Sequence, residues 1–205
     1  MKDEDWIIYP LQGLGHLRFG MNRANIEALS SVYGSITYDS GTVDRVAIAN
    51  DTLAKFGHFF SDDVRSNIEQ NHIPQIATDP RTLLTLSNHS LQVDLFDDTV
   101  CGITIYQDHS QVSLDGQNIF TMEQGRALEF LERLNGRPGY YVGQSARFDG
   151  LALELFGFSE AGEGPNDPIT PGAKLTQDQS PCSIWIGAEP NPLNDPTVRW
   201  REHTW

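Results

Sequence analysis

The chain has 205 residues, of which 39% are hydrophobic and 20% are charged. This apolar content excludes an intrinsically disordered chain, and the length favours a single domain. Lys and Arg number 14 against 28 Asp and Glu, which gives a formal net charge of −14. A surface this acidic repels nucleic acid and anionic lipids and attracts basic proteins, so we expect neither nucleic acid nor a membrane among its partners.

The compartment is indicated by the N-terminus and the cysteines. The first six residues, Met-Lys-Asp-Glu-Asp-Trp, are acidic overall, whereas a secretory signal is basic and then apolar. No apolar run approaches the ~20 residues of a membrane span. Cys101 and Cys182 are the two cysteines, and neither belongs to a C-x-x-C pair, which excludes a redox motif or a cysteine-rich zinc site. We therefore expect a cytoplasmic protein with free thiols, of undetermined oligomeric state.

The first half of the chain predicts helices that alternate with strands. In chain order the expected elements are a strand at 6–9, a helix at 22–33, a strand at 43–49, one or two helices at 51–72, and a β-hairpin at 91–105. The helix at 22–33 is well defined, because Asn22 is a good N-cap and Gly34 suits its end. The hairpin is predicted by apolar residues at every second position on both sides of Asp97-Asp98.

The second half predicts one long helix and further strands. Residues 111–114 form a third strand before the turn at Asp115-Gly116, and Thr121 with Gln124 suggests a capping box for a helix at 122–135. Strands are expected near 140–143, 148–158 and 183–188, and a long Pro/Gly-rich loop at 159–181. Because helices are interleaved with hairpins, we predict one α+β domain over residues 1–205, with a mainly antiparallel sheet and two or three amphipathic helices packed on one face.

The glycine-rich segment Gly13–Arg23 reads G-L-G-H-L-R-F-G-M-N-R. Its glycine spacing does not fit a dinucleotide-binding loop, and it lacks the Gly-Lys of a P-loop. It resembles the G-x-G-x-[IL]-R-[FL]-G-M-[ST]-R opening of small bacterial proteins, some of them encoded beside secreted toxins as immunity proteins. Asn22 replaces the commoner Ser or Thr and keeps the N-cap. The resemblance covers 11 of 205 residues and implies the binding of a toxin.

The histidines, cysteines and aspartates are the candidates for a catalytic or metal site. Cys101 with His89 or His109 could form a nucleophilic pair, but Cys101 shares its strand parity with Ile103 and Ile105 and is expected to face the core. The paired aspartates could bind a divalent cation, but no calcium-loop motif accompanies them. No zinc motif is present, and no cofactor is predicted.

The leading interpretation is a non-enzymatic protein-binding module, of the immunity or antitoxin kind, that neutralises a basic partner such as a secreted toxin. The predicted partner-binding residues are Asp62, Asp63, Asp94, Asp97, Asp98, Trp200 and Trp205. The tryptophans could instead pin the C-terminal segment to the body. Two alternatives remain: a hydrolase-like enzyme that uses Cys101 with His109, or the aspartates, and a structural domain without a dedicated partner.

Overall fold

The structure is a computed structural model that describes residues 3–87, 91–107, 111–162, 167–172, 182–190 and 200–205. The chain begins with a 3-10 turn at Asp3–Trp6 and a small antiparallel meander of β1 (Ile8–Tyr9), β2 (Gly13–Leu14) and β3 (Leu17–Arg18). The Gly15 φ of 53° lets the chain reverse between β2 and β3. The glycine-rich segment is therefore a tight hairpin that leads into a helix.

In the described part of the chain, the main body is a nine-stranded antiparallel sheet. Its strands are β4 (Ile36–Asp39), β5 (Arg81–Leu86), β6 (Gln92–Phe96), β7 (Thr99–Tyr106), β8 (Gly139–Phe148), β9 (Leu153–Ala161), β10 (Ile169–Pro171), β11 (Ser183–Gly187) and β12 (Arg201–His203). The order across the sheet is β12-β8-β9-β11-β7-β6-β5-β4, and β10 pairs with β9 beside this path. The described part of the 159–181 span therefore contains strand as well as loop.

The helices of the described ranges are short, except for two of 12 residues. They are α1 (Arg23–Ala28), α2 (Ser30–Tyr33), α3 (Arg45–Phe56), α4 (Asp62–Asn67), α5 (Ile73–Thr78) and α6 (Gln124–Asn135), and a π-helical turn at Ile68–His72 joins α4 to α5. Asn22 caps α1 as predicted, in a reciprocal capping box with Asn25. No helix in the described ranges is long and apolar enough to span a membrane. The fold is α+β with a large antiparallel sheet, as the sequence predicted.

One hydrophobic core lies against one face of the sheet. Alternate residues of the strands supply it, among them Leu84, Val93, Ile105 and Ile184, all with essentially no exposure. The helices α1, α2 and α6 and the N-terminal meander contribute the opposing residues of the same cluster, which are Trp6, Ile8, Leu14, Leu17, Ile26, Tyr33, Ala127, Leu128, Phe130 and Leu131. The alternation in β5–β7 therefore reflects a sheet with one buried face.

The chain uses the same arrangement twice. In each half a two-residue hairpin turn, between Leu14 and Leu17 and again between Leu114 and Gln117, precedes a methionine, an N-cap and a core helix. Three neighbouring strands then lead from the outer part of the sheet to its centre, as β5-β6-β7 and as β8-β9-β11, with β10 between β9 and β11 in the chain. The halves meet where β7 pairs with β11.

Three local predictions were wrong. Residues 43–49 are not a strand, because the Asp44 side chain accepts a hydrogen bond from the Ala47 amide and starts α3 instead. Thr121 does not cap α6. The cap is Glu123, whose carboxylate accepts from the Gly125 and Arg126 amides. Residues 111–114 make isolated bridges rather than a third strand of the large sheet.

Candidate protein-binding surface

The seven predicted partner-binding residues do not form one site. Asp94 and the Asp97-Asp98 turn belong to β6 and the turn that follows it, whereas Trp205 follows β12, and four strands separate β6 from β12. Asp62 and Asp63 begin α4, in a helical segment between β4 and β5. Each group therefore has its own structural setting.

Asp97 and Asp98 form the two-residue turn between Phe96 and Thr99. Both have positive φ angles, of 51° and 57°, which is the conformation of a type I′ hairpin turn and one that aspartate tolerates. Both carboxylates are exposed, and one oxygen of Asp98 lies 3.8 Å from Arg23 Nε. The presence of both aspartates at this position is explained by the tight turn that they form.

Asp94 lies on the face of the sheet opposite the core and is largely buried there. Its Oδ2 accepts a hydrogen bond of 2.9 Å from the Trp185 indole. Gly102, between them on β7, makes room for this contact, because a Cβ at that position would lie 2.8 Å from both bonded atoms. Burial raises the pKa of Asp94 above its usual value, while the Trp185 hydrogen bond and the Arg81 charge act in the opposite direction. The pair connects the two halves of the sheet.

Cys101 is adjacent to Asp94 and does not face the core, which corrects the sequence-based expectation. The pairing of β6 with β7 shifts between Asp94 and Leu95, so that Cys101 is an extra residue in a β-bulge and the alternation changes face there. Its thiol donates to the Asp94 carbonyl at 3.4 Å. Burial, together with the nearby Asp94 charge, raises the pKa of this thiol and therefore disfavours the nucleophilic thiolate. His89 and His109 lie outside the described residues.

Replacing Asp94 with asparagine should stabilise the protein at neutral pH by about 0.5–2 kcal/mol, because an amide oxygen still accepts from Trp185 and the buried charge is removed. A raised pKa in the folded state means that ionisation opposes folding, so the gain is complete above that pKa. It disappears below pH 3.8, the usual pKa of the group. Urea denaturation from pH 3 to 8 measures this difference, and a destabilised Asp94→Asn at pH 7 would contradict the assignment.

Trp205 is held by a buried network rather than presented to a partner. Its indole N–H donates to the Tyr141 hydroxyl at 2.7 Å, and its backbone amide donates to Glu132 Oε2 at 3.1 Å. The Tyr141 hydroxyl donates in turn to Glu132 Oε1 at 3.1 Å. Burial, and then the Glu132 charge, raise the pKa of Tyr141, so the phenol remains a donor. Trp205 therefore pins the C-terminal segment to α6 and β8.

Trp200 is partly buried beside Arg147. The guanidinium carbon of Arg147 lies 5.9 Å from the centre of the indole ring, and the same guanidinium is hydrogen-bonded to Asp149. The Trp200 indole N–H is buried and has no hydrogen-bond partner in the described part of the chain. This tryptophan therefore makes a cation–π contact with the body.

Most of the exposed large apolar residues lie in a segment of which the sequence pattern singled out only Asp62 and Asp63. Residues 45–78, which we call the helical arm, run out along α3 and return along α4, the π-turn and α5. Of the nine large apolar side chains exposed among the described residues, five belong to the arm: Ile48, Phe56, Phe59, Phe60 and Val64. Only Leu53 and Gly57 of the arm are buried, so the arm packs mainly on itself.

The arm is attached to the sheet at the end of β4 and the start of β5. Arg45 donates to the Asp79 carbonyl at 2.8 Å, and the Asp79 carboxylate binds Arg81 through two nitrogens. The side-chain hydrogen bonds from Arg81 hold the pKa of Asp79 below its usual value. At the far end of α3, Ser61 caps α4 through the Val64 amide, and Asp62 and Asp63 occupy its first turn, where carboxylates complement the helix dipole.

A cavity of about 670 Å³ lies at the start of α6. The described residues that line it include Phe120, Met122, Phe158, Glu123 and Cys182. Hydrogen bonds from the Gly125 and Arg126 amides lower the pKa of Glu123, and burial raises the pKa of Cys182. Neither group is therefore activated as a base or a nucleophile by its surroundings.

Metal sites and relatives are two further sources of functional information. Within the described ranges, no group of three histidines, cysteines or acidic residues could hold a metal ion. Comparisons with protein-family models, with curated proteins and with solved structures found no match.

Proposed function

We propose that this chain is a non-enzymatic protein-binding module, of the immunity or antitoxin kind, that neutralises a basic protein by covering its active surface. The observation that carries the proposal is the exposure of five large apolar side chains on the helical arm, four of them within residues 56–64, the same short stretch of chain as Asp62 and Asp63. Aromatic anchors surrounded by charged groups are typical of protein interfaces.

The charge of the chain supports a basic partner. Arg23, Arg45, Arg81, Arg137 and Arg147 each lie within ion-pair distance of an aspartate, and such pairs are neutral. The formal net charge of −14 is carried by the acidic groups in excess of the basic ones, and it gives the chain a negative field. Such a field steers cationic proteins toward the surface and speeds their capture.

The surroundings of Cys101 and Cys182 favour a protein-binding module over a hydrolase-like enzyme. Both thiols have a raised pKa, which is the opposite of what a nucleophilic cysteine needs. Both are also free, which is usual in a reducing compartment, and a cytoplasmic location is part of the proposal.

The test is the rate of association with a partner identified by pull-down. We expect an association rate constant on the order of 10⁸ M⁻¹s⁻¹ at low salt, which falls steeply as salt is added because screening removes the steering field. Stopped-flow fluorescence across a salt series measures it. A partner of net negative charge, or a rate that does not depend on salt, would contradict the proposal. So would turnover of a substrate that is lost on mutation of Cys101 or His109.

A further inference from the structure

We propose that residues 56–64 of the helical arm, which we call the arm tip, are the docking element, and that they bind a cationic, partly apolar surface of the partner. This inference rests on the proposed function and specifies the surface that carries it out. The arm tip comprises the end of α3, the turn at Gly57–Phe59 with the two residues that follow it, and the first turn of α4.

The apolar part of the arm tip is too exposed to serve the core. Phe59 is 75% exposed, and Phe56 and Phe60 are about half exposed, at 52% and 45%. The centre of the His58 ring lies 4.0 Å from the centre of the Phe59 ring, so His58 extends the aromatic surface. Clusters of exposed apolar side chains with a polar rim mark interaction sites on soluble proteins.

The charges around the arm tip select the partner. Asp62 and Asp63 are exposed, and neither makes an ion pair with another described residue. Of the two cations that flank the arm tip in the sequence, Lys55 donates to Asp51 at 2.6 Å and the Arg65 guanidinium lies against Gly57. A partner that presents lysine or arginine beside an apolar patch would satisfy both features of the arm tip, whereas an acidic partner or a second copy of this chain would be repelled.

The arm tip is held in shape before it binds. Phe60 donates its backbone amide to the Gly57 carbonyl at 3.1 Å, and the Ser61 side chain caps α4. Gly57 is buried beneath the Arg65 guanidinium, which lies 2.9 Å from the position that a Cβ would take there. A preorganised turn loses little conformational entropy on binding, so more of the contact energy appears as affinity.

The test uses a fluorescent amphipathic helical peptide of leucine and lysine as the probe, with binding followed by anisotropy on the full chain. Phe59→Ser should weaken binding about 30-fold or more, as loss of a central anchor does. Phe156→Ser is the control, because Phe156 is also exposed but lies on β9. The double change Asp62→Asn with Asp63→Asn should weaken binding more than Asp97→Asn with Asp98→Asn, although both pairs remove two charges.

The outcomes separate the two proposals. Failure of the unchanged chain to bind the probe would overturn the proposed function and this inference together. If the arm-tip variants and the control variants weaken binding of the probe equally, the inference alone is overturned. Binding of the probe would then be a property of the whole acidic surface. A second probe with serine in place of leucine should bind more weakly, and equal binding of the two probes would also overturn the role of the phenylalanines.

Discussion

Replacing Leu131 with alanine should lower the free energy of unfolding by roughly 2–5 kcal/mol. Leu131 is on α6 and has no exposure, and it belongs to the core between the helix and the sheet. The loss combines the transfer of the side chain to water with the cavity that remains in a close-packed interior. Urea denaturation followed by circular dichroism measures it.

The matched control is Ile48→Ala, which removes a large apolar side chain from an exposed position on α3. Its effect should stay within about 0.5 kcal/mol, as for most surface changes. A Leu131→Ala variant as stable as this control would mean that α6 packs through another face.

Replacing Glu132 with alanine should cost about 3 kcal/mol or more. Glu132 accepts hydrogen bonds from the Tyr141 hydroxyl and from the amides of Gly139 and Trp205. Its removal leaves buried donors without an acceptor, and each such group costs roughly 1–3 kcal/mol. The same change releases the C-terminal segment, so tryptophan fluorescence should shift to longer wavelength.

Glu132→Gln is the control for this network. It keeps an oxygen for Tyr141 and places an amino group opposite the Trp205 amide, so it should lose about 1 kcal/mol. Equal losses for the alanine and glutamine variants would show that the charge, rather than the hydrogen bonds, stabilises this end of the sheet.

The sequence predicted those features that follow from a regular local period. The hairpin of β6 and β7 was predicted from alternation, and the start of α1 from the Asn22 cap. Cys101 was assigned to the wrong face because a β-bulge inserts one residue without leaving a mark in the apolar pattern. The apolar content of residues 43–49 predicts a strand, whereas Asp44 within the same stretch is a good N-cap and starts α3.

The candidate binding surface was predicted only in part. Asp62 and Asp63 were identified from their charge, but Phe56, Phe59 and Phe60 were not, because their spacing of three and one would place them on the buried face of a single helix. The structure ends α3 at Phe56 and starts α4 after Ser61, so the face is broken. The exposure of these phenylalanines depends on how the arm packs against the rest of the protein. The spacing of apolar residues in the sequence does not determine that packing.

The position of β11 has a consequence for folding. This strand lies between β9 and β7, near the middle of the sheet, yet among the described strands it is the second-last along the chain. The first half of the chain can form β4–β7 early. The edge of β7 then stays unpaired until β11 is available, and Ser183 of β11 lies 77 residues beyond its partner Tyr106. Such long-range pairing slows folding, and an open apolar edge is a template for pairing with another chain. Exchange of β11 between two molecules is therefore the expected route of misassembly for this chain, and truncation before Ser183 should aggregate it.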